Sequence, residues 1–285
     1  MRVLYFGTYE RGYPRNAQVI SCLRRGGVDV VERHEGVWES ARHKWALGAR
    51  AAFHLLRAET KLALRGRGPF DAMIVGYPGH FDMPLARVLA GRRPLIFNPL
   101  VSLWETLVDD RGRFAPDSPA AAVLRRVDRI ALRHADVVVA DTAQNAGFLA
   151  GLAGIPRDRV EVCLVGAEER LFRPVWQRQG PFHALFIGKL IPLHGLKTVL
   201  EAATLTPDVA FRIVGSGQLD GLMRDVPPNV EWVDWVDYEL LPKELGRAGC
   251  ALGIFGTGAK AQRVIPNKAF QALACGTPLV TADTP

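Results

Sequence analysis

Two glycine-rich turns could receive phosphate, and a third glycine-bearing turn bears on which ligand is excluded. Gly188-Lys189-Leu190-Ile191-Pro192-Leu193-His194-Gly195 follows the apolar run 182–187. Bare backbone N–H groups at a helix start favour an anion, and Lys189 and His194 add two potential cations, which suits a diphosphate. Gly7-Thr8-Tyr9-Glu10-Arg11-Gly12 follows the first apolar run in the same way. Gly7 is therefore an anion-binding candidate, although a glycine after a strand is more often only a turn. Val214-Gly215-Ser216-Gly217 ends a further run and lacks the G-x-G-x-x-G spacing of a dinucleotide site, which speaks against an NAD enzyme. Cys22, Cys163, Cys250 and Cys275 lie far apart in apolar stretches. They are expected to be buried free thiols, as in a reducing cytoplasm, and not ligands of a metal.

These turns need strands behind them. In the first half short apolar runs at 2–6, 28–31, 71–75, 94–97, 136–140 and 160–164 alternate with amphipathic segments at 15–25, 41–65, 82–90, 118–134 and 142–152. Runs that are apolar throughout are buried on both faces, as parallel strands under helices are. Strand-helix alternation then implies a doubly wound sheet. After Gly166–Pro174 and a polar stretch the pattern restarts, with strands at 182–187, 209–214, 229–233, 250–254 and 278–281 and helices near 195–204, 218–224, 239–248 and 267–275. The expected architecture is α/β, with two Rossmann-like doubly wound domains over 1–170 and 171–285. The sequence stops just after a strand, so the second domain is expected to be incomplete and the chain part of a longer one.

The 285 residues and a mean hydropathy of +0.06 describe a globular protein with ample core. No apolar run reaches the roughly 18–20 residues of a membrane-spanning helix, and no secretory leader is legible. The net charge of +7 arises entirely within residues 1–175, and a basic half points to an anionic partner. One helix, 41–65, stands out. Trp45, Ala49, Ala52, Phe53, Leu56, Ala63 and Leu64 are expected to form its core face, opposite a basic stripe of Arg50, His54, Arg57, Lys61 and Arg65. The stripe is read either as a solvated face or as a peripheral contact with anionic lipid or a phosphorylated acceptor, electrostatic and without insertion.

The most specific stretch is Ile265-Pro266-Asn267-Lys268-Ala269-Phe270-Gln271-Ala272-Leu273-Ala274-Cys275-Gly276-Thr277-Pro278-Leu279-Val280. It resembles the strand-loop-helix that closes the donor site in retaining family-4 glycosyltransferases of the GT-B fold. Gly188-Lys189-Leu190 with His194-Gly195, Val214–Gly217 and Val230–Leu241 resemble further landmarks of that family in order and spacing, as do Ala135–Thr142 and Val162–Pro174. The resemblance implies that a sugar moves from a nucleotide-diphosphate sugar to an acceptor with retention, without a metal or other cofactor and without a nucleic-acid partner. Lys189 and His194 would neutralise the leaving diphosphate as the catalytic groups. Gly7, Gly188, Gly217, Val236, Lys268 and Gln271 would hold the donor. Asn98 stands where the family has a histidine, and His80 lies near the same cleft edge, as an acceptor-side residue or a structural histidine. Gln271 replaces one glutamate of the family's pair and Arg263 the other. Those departures keep open a catalytically silent GT-B scaffold and a nucleotide-sugar epimerase. The expected location is cytoplasmic, with peripheral contact at the inner face of the membrane.

Overall fold

Apolar, β-branched runs between amphipathic segments form two parallel sheets, each with helices on its faces. The computed structural model describes residues 1–38, 49–65, 68–174 and 180–284. The chain divides into two compact units, Met1–Val108 with Gly112–Leu164, and Asp109–Arg111 with Val165–Pro285.

In the first unit β1 (Arg2–Gly7), β2 (Asp29–His34), β3 (Ala72–Val75), β4 (Leu95–Phe97), β5 (Val137–Ala140) and β6 (Val160–Val162) lie in the order β2-β1-β3-β4-β5-β6. Helices α1 (Pro14–Arg25), α2 (Ala49–Leu64), α3 (Met83–Ala90), α4 (Pro119–His134) and α5 (Ala143–Ala153) connect them. Local chemistry sets their ends. Ser118 accepts from the Ala121 amide and Pro119 opens α4, while Thr142 accepts from the Asn145 amide to start α5. Gly154, at φ 63°, ends α5 in the left-handed region. One face of the sheet buries Leu4, Phe6, Met73, Val75, Leu95, Phe97 and Val138 against Met83, Leu132 and Leu149. The other buries Val3, Tyr5 and Ile74 with Ile20 of α1.

In the second unit β7 (His183–Ile187), β8 (Ala210–Val214), β9 (Val230–Val233), β10 (Cys250–Leu252) and β11 (Leu279–Val280) take the order β11-β10-β7-β8-β9. The helices are α6 (Leu196–Leu205), α7 (Leu241–Arg247) and α8 (Asn267–Ala274). The chain winds from β7 outward to β9, then crosses to β10 on the other side. The connections therefore diverge between β7 and β10, and a crevice at the carboxyl ends of those two strands is where such sheets bind ligands. Phe186, Leu196, Val199, Phe211 and Ile213 fill the core beneath it.

Three expectations are corrected. Residues 220–224 form a 3-10 turn, not an α-helix, too short a segment to bury a helical face. Of the cysteines, all free, only Cys275 is buried; Cys22 and Cys163 are exposed and Cys250 half-buried. Cys163 directly follows β6, an edge strand whose Glu161 and Val162 are both exposed. The third correction concerns α2. Its core contacts are made by Ala58 and Leu62, 4% and 0% exposed, whereas Phe53, Leu56 and Leu64 are 63%, 67% and 80% exposed. Ala52 and Ala63 are exposed as well. Trp45 lies outside the described residues, and so do the side chains of Ala49 and Arg50. Apolar residues occupy two arcs of this helix, and the sheet takes the other one.

Candidate functional site

The crevice of the second unit is built from backbone packed against backbone. Gly188 ends β7 at φ 146°, and its amide donates to the Val214 carbonyl at 2.9 Å. Gly215 ends β8 at φ 137°, where an added Cβ would lie 2.0 Å from the Gly188 carbonyl oxygen. At Gly217 a Cβ would lie 2.7 Å from the Leu190 carbonyl oxygen. Glycine at these positions is what lets the two turns interlock. Across the crevice Phe255, beyond β10, donates its amide to the His194 carbonyl at 3.2 Å.

Into this glycine-lined turn reaches Lys268, in the first turn of α8. It is 8% exposed, and among the described residues its Nζ has no hydrogen-bond acceptor. The ammonium sits 3.5 Å above the centre of the Phe186 ring and would be 3.6 Å from a Cβ placed on Gly188. The ring face stabilises a cation in part, but burial still pushes the lysine pKa well down. A cation in the first turn also opposes the helix macrodipole. Charge and helix end together make this a positive spot.

His194 stands beside it, its ring carbon 3.1 Å from a Cβ placed on Gly188. Its Nδ1 lies 2.6 Å from the Lys189 carbonyl oxygen. A carbonyl only accepts, so Nδ1 carries the proton. Burial first, then the charge of Lys268, with smaller effects from Arg111 and Lys260, pushes the imidazole pKa well down, against the opposing pull of the Lys189 carbonyl. The histidine is neutral here in the absence of ligand, not the second cation expected. Lys189 contributes its carbonyl to orient His194 and leaves its side chain exposed. Lys260, 6% exposed, lies 4.0 Å from the Asp110 carboxylate, which also accepts from the Leu193 amide at 3.1 Å. Local pattern did not reveal Asp110, Arg111 or Lys260. Position beyond β10 at the switch point was the one available signal for Lys260.

Gln271 is buried on α8, one turn after Lys268. Its amide nitrogen lies 3.4 Å from the Tyr238 hydroxyl. Tyr238 packs edge-on against Phe172 at 5.5 Å, and Val236 is half-buried in the same cluster.

The residues expected on the other side belong to the first unit. Gly7 ends β1 at φ 120°, and a Cβ there would fall 2.3 Å from Asp82 Oδ2. Asp82 accepts from the Thr8 amide at 2.7 Å and from the Thr8 hydroxyl at 2.9 Å. The turn is thus filled by a carboxylate that takes the amide a phosphate would need. His80 is buried with one ring nitrogen 3.3 Å from Asp128 and the other against the Pro78 carbonyl. Both nitrogens are engaged, the arrangement of a structural histidine. Asp128 in turn accepts from Ser102, Leu103 and Trp104. Asn98, directly after β4, accepts from Arg15 Nε at 3.0 Å and is buried.

Residues 181–285 match the family model described as glycosyl transferases group 1. By sequence no curated protein matches the chain. By structure the whole chain is similar to the Anabaena protein HepE in complex with UDP and glucose, at a TM-score of 0.65 and 13% identity, covering 100% of this chain and 81% of that one. Sucrose-phosphate synthase from Thermosynechococcus elongatus superposes with a TM-score of 0.72 at 15% identity, covering 99% and 81%. The lipopolysaccharide outer core galactosyltransferase WaaB gives 0.62 at 13% identity, covering 100% and 81%. The fold is that of the GT-B glycosyltransferases. The domain match over the second unit indicates a glycosyltransferase.

Proposed function

We propose that the chain moves a sugar from a nucleotide-diphosphate sugar to an acceptor hydroxyl, with retention of anomeric configuration. The observation that carries this reading is the Lys268 ammonium, buried, without an acceptor among the described residues, and turned toward Gly188 at the switch-point crevice. As the sugar leaves, negative charge grows on the diphosphate, and a fixed cation in a dry site stabilises that charge without reorganising. Lys268 takes this role, with Lys189 at the rim. His194 is neutral until the diphosphate arrives, then binds a proton. Gln271 and Tyr238 meet the ribose, and Val236 borders the base. Side-chain cations serve where other enzymes use a metal. HepE, solved with UDP, and an alpha-glucosyltransferase solved with UDP-glucose support a uridine nucleotide as the first donor to try.

Thermal shift against nucleoside diphosphates, followed by turnover with the matching sugars, tests the reading. Binding without turnover would indicate a silent scaffold. Sugar conversion without an acceptor would indicate an epimerase. An inverted product anomer by NMR would remove the retaining step alone.

A further inference from the structure

Helix α2 presents two stripes to solvent, side by side. With 100° per residue, Ala52, Ala63, Leu56, Thr60, Phe53 and Leu64 follow one another across one exposed arc, and Arg57, Lys61, His54 and Arg65 across the next. The stripe is more apolar than its sequence shows. Thr60, its one polar member, bonds its hydroxyl back to the Leu56 carbonyl at 2.8 Å, which spends the hydroxyl on the helix backbone. No carboxylate of the helix offsets the cations. Glu59, its one acidic residue, has both carboxyl oxygens buried, and burial together with Asp82 pushes its pKa up to about 10. Glu35, outside the helix, pairs with Lys61 at 3.2 Å and with Arg65 at 2.5 Å; this one carboxylate ties down both long side chains and offsets one of the stripe's charges, so that Arg57, Lys61 and Arg65 together still leave it net positive. Single exposed leucines are ordinary on soluble proteins; a contiguous apolar stripe flanked by fixed cations is not.

We propose that α2 docks the chain on an anionic lipid bilayer by inserting the Phe53–Leu56–Leu64 stripe among the acyl chains while the basic stripe meets headgroup phosphates. Charge complementarity selects this occupant, because an apolar stripe alone would accept any hydrophobic partner, whereas the adjoining cations match a surface that is apolar within and anionic at its edge. The helix lies in the interface and does not cross it; among the described residues no helix is long and apolar enough to span a membrane. Insertion distinguishes this from purely electrostatic contact, because the apolar contribution survives salt that screens the charges. The inference stands apart from the glycosyl-transfer reading.

Vesicle flotation of the full chain tests it, with phosphatidylcholine alone and with phosphatidylglycerol added. Anionic vesicles should carry the protein at low salt, and part of that binding should persist at high salt. Phe53→Ser, Leu56→Ser and Leu64→Ser combined should weaken binding by roughly tenfold or more at either salt. These side chains point to solvent, so an unchanged circular dichroism melt will show that the variant is folded. Phe53→Leu should retain binding. Failure to float with anionic vesicles, or flotation that the triple serine variant leaves unchanged, would overturn the proposal. So would complete release at high salt, which would leave only electrostatic contact.

Discussion

Two turns in this molecule share a backbone and differ in charge. Gly7 and Gly188 each end the first strand of a parallel sheet at strongly positive φ, 120° and 146°. Behind Gly7 the start of α3 brings a carboxylate, Asp82, which accepts from the Thr8 amide. Behind Gly188 helix α8 brings an ammonium, Lys268, which has no hydrogen-bond partner among the described residues. The first turn is complete in itself and the second is not. A glycine-rich turn therefore does not make a phosphate site; the sign of the side chain delivered from a distant element decides it.

The comparison can be broken most decisively at Lys268. Lys268→Met should lower turnover with a nucleotide sugar by roughly a hundredfold or more, as loss of a pre-placed electrostatic stabiliser does. Lys189→Ala, at an exposed side chain, should cost less. Steady-state kinetics that rank the two the other way would move the diphosphate contact to the rim. Gly7→Ala should destabilise the fold by roughly 3 kcal/mol, since it combines a strained φ with a collision against Asp82. A denaturant midpoint equal to wild type would refute the filled turn.

The opposite signs of the two side chains predict opposite stability effects. Asp82→Asn should cost about 2 kcal/mol by weakening buried charge-assisted bonds. Lys268→Met should stabilise by about 1 kcal/mol, because a hydrophobe replaces an uncompensated buried cation. The pH dependence has a definite sign. Folding depresses the Lys268 pKa, so the unfolded chain binds that proton more tightly. Its contribution to ligand-free stability rises with pH from the depressed value up to the ordinary lysine range. The methionine variant should lose that rise in melts recorded across pH.

The smallest effect is proton uptake. A bound diphosphate raises the depressed pKa of His194, so affinity should fall as pH rises, by at most about tenfold per pH unit for the proton taken up. Calorimetric titration with UDP in buffers of different ionisation heat would measure it. Equal heats after correction for dilution would mean no proton is taken up.

Strand positions and the two sheets were legible because apolar runs of this length leave little choice. The faces of α2 were not. Phe53, Leu56 and Leu64 share a helical arc just as Ala58 and Leu62 share another, and periodicity finds both without saying which one the sheet covers. Type and place make His194 a cation in the sequence, but its charge depends on burial and on the charges of Lys268, Arg111 and Lys260, which no local pattern reports. The packing role of Gly217 is not legible either: its missing side chain makes room for the Leu190 backbone.

The interlock of the Gly188 and Gly215 turns has a consequence in time as well as in space. Gly188 donates to Val214, Gly215 to Val233, and Leu190 to Ser216, while the Leu190 carbonyl accepts from Leu219. Neither turn can open without breaking bonds held by the other. Their amides should therefore exchange with deuterium at a common rate, as one cooperative unit, whatever the rates elsewhere in the sheet. A ligand that reaches only one of these turns would slow exchange in both.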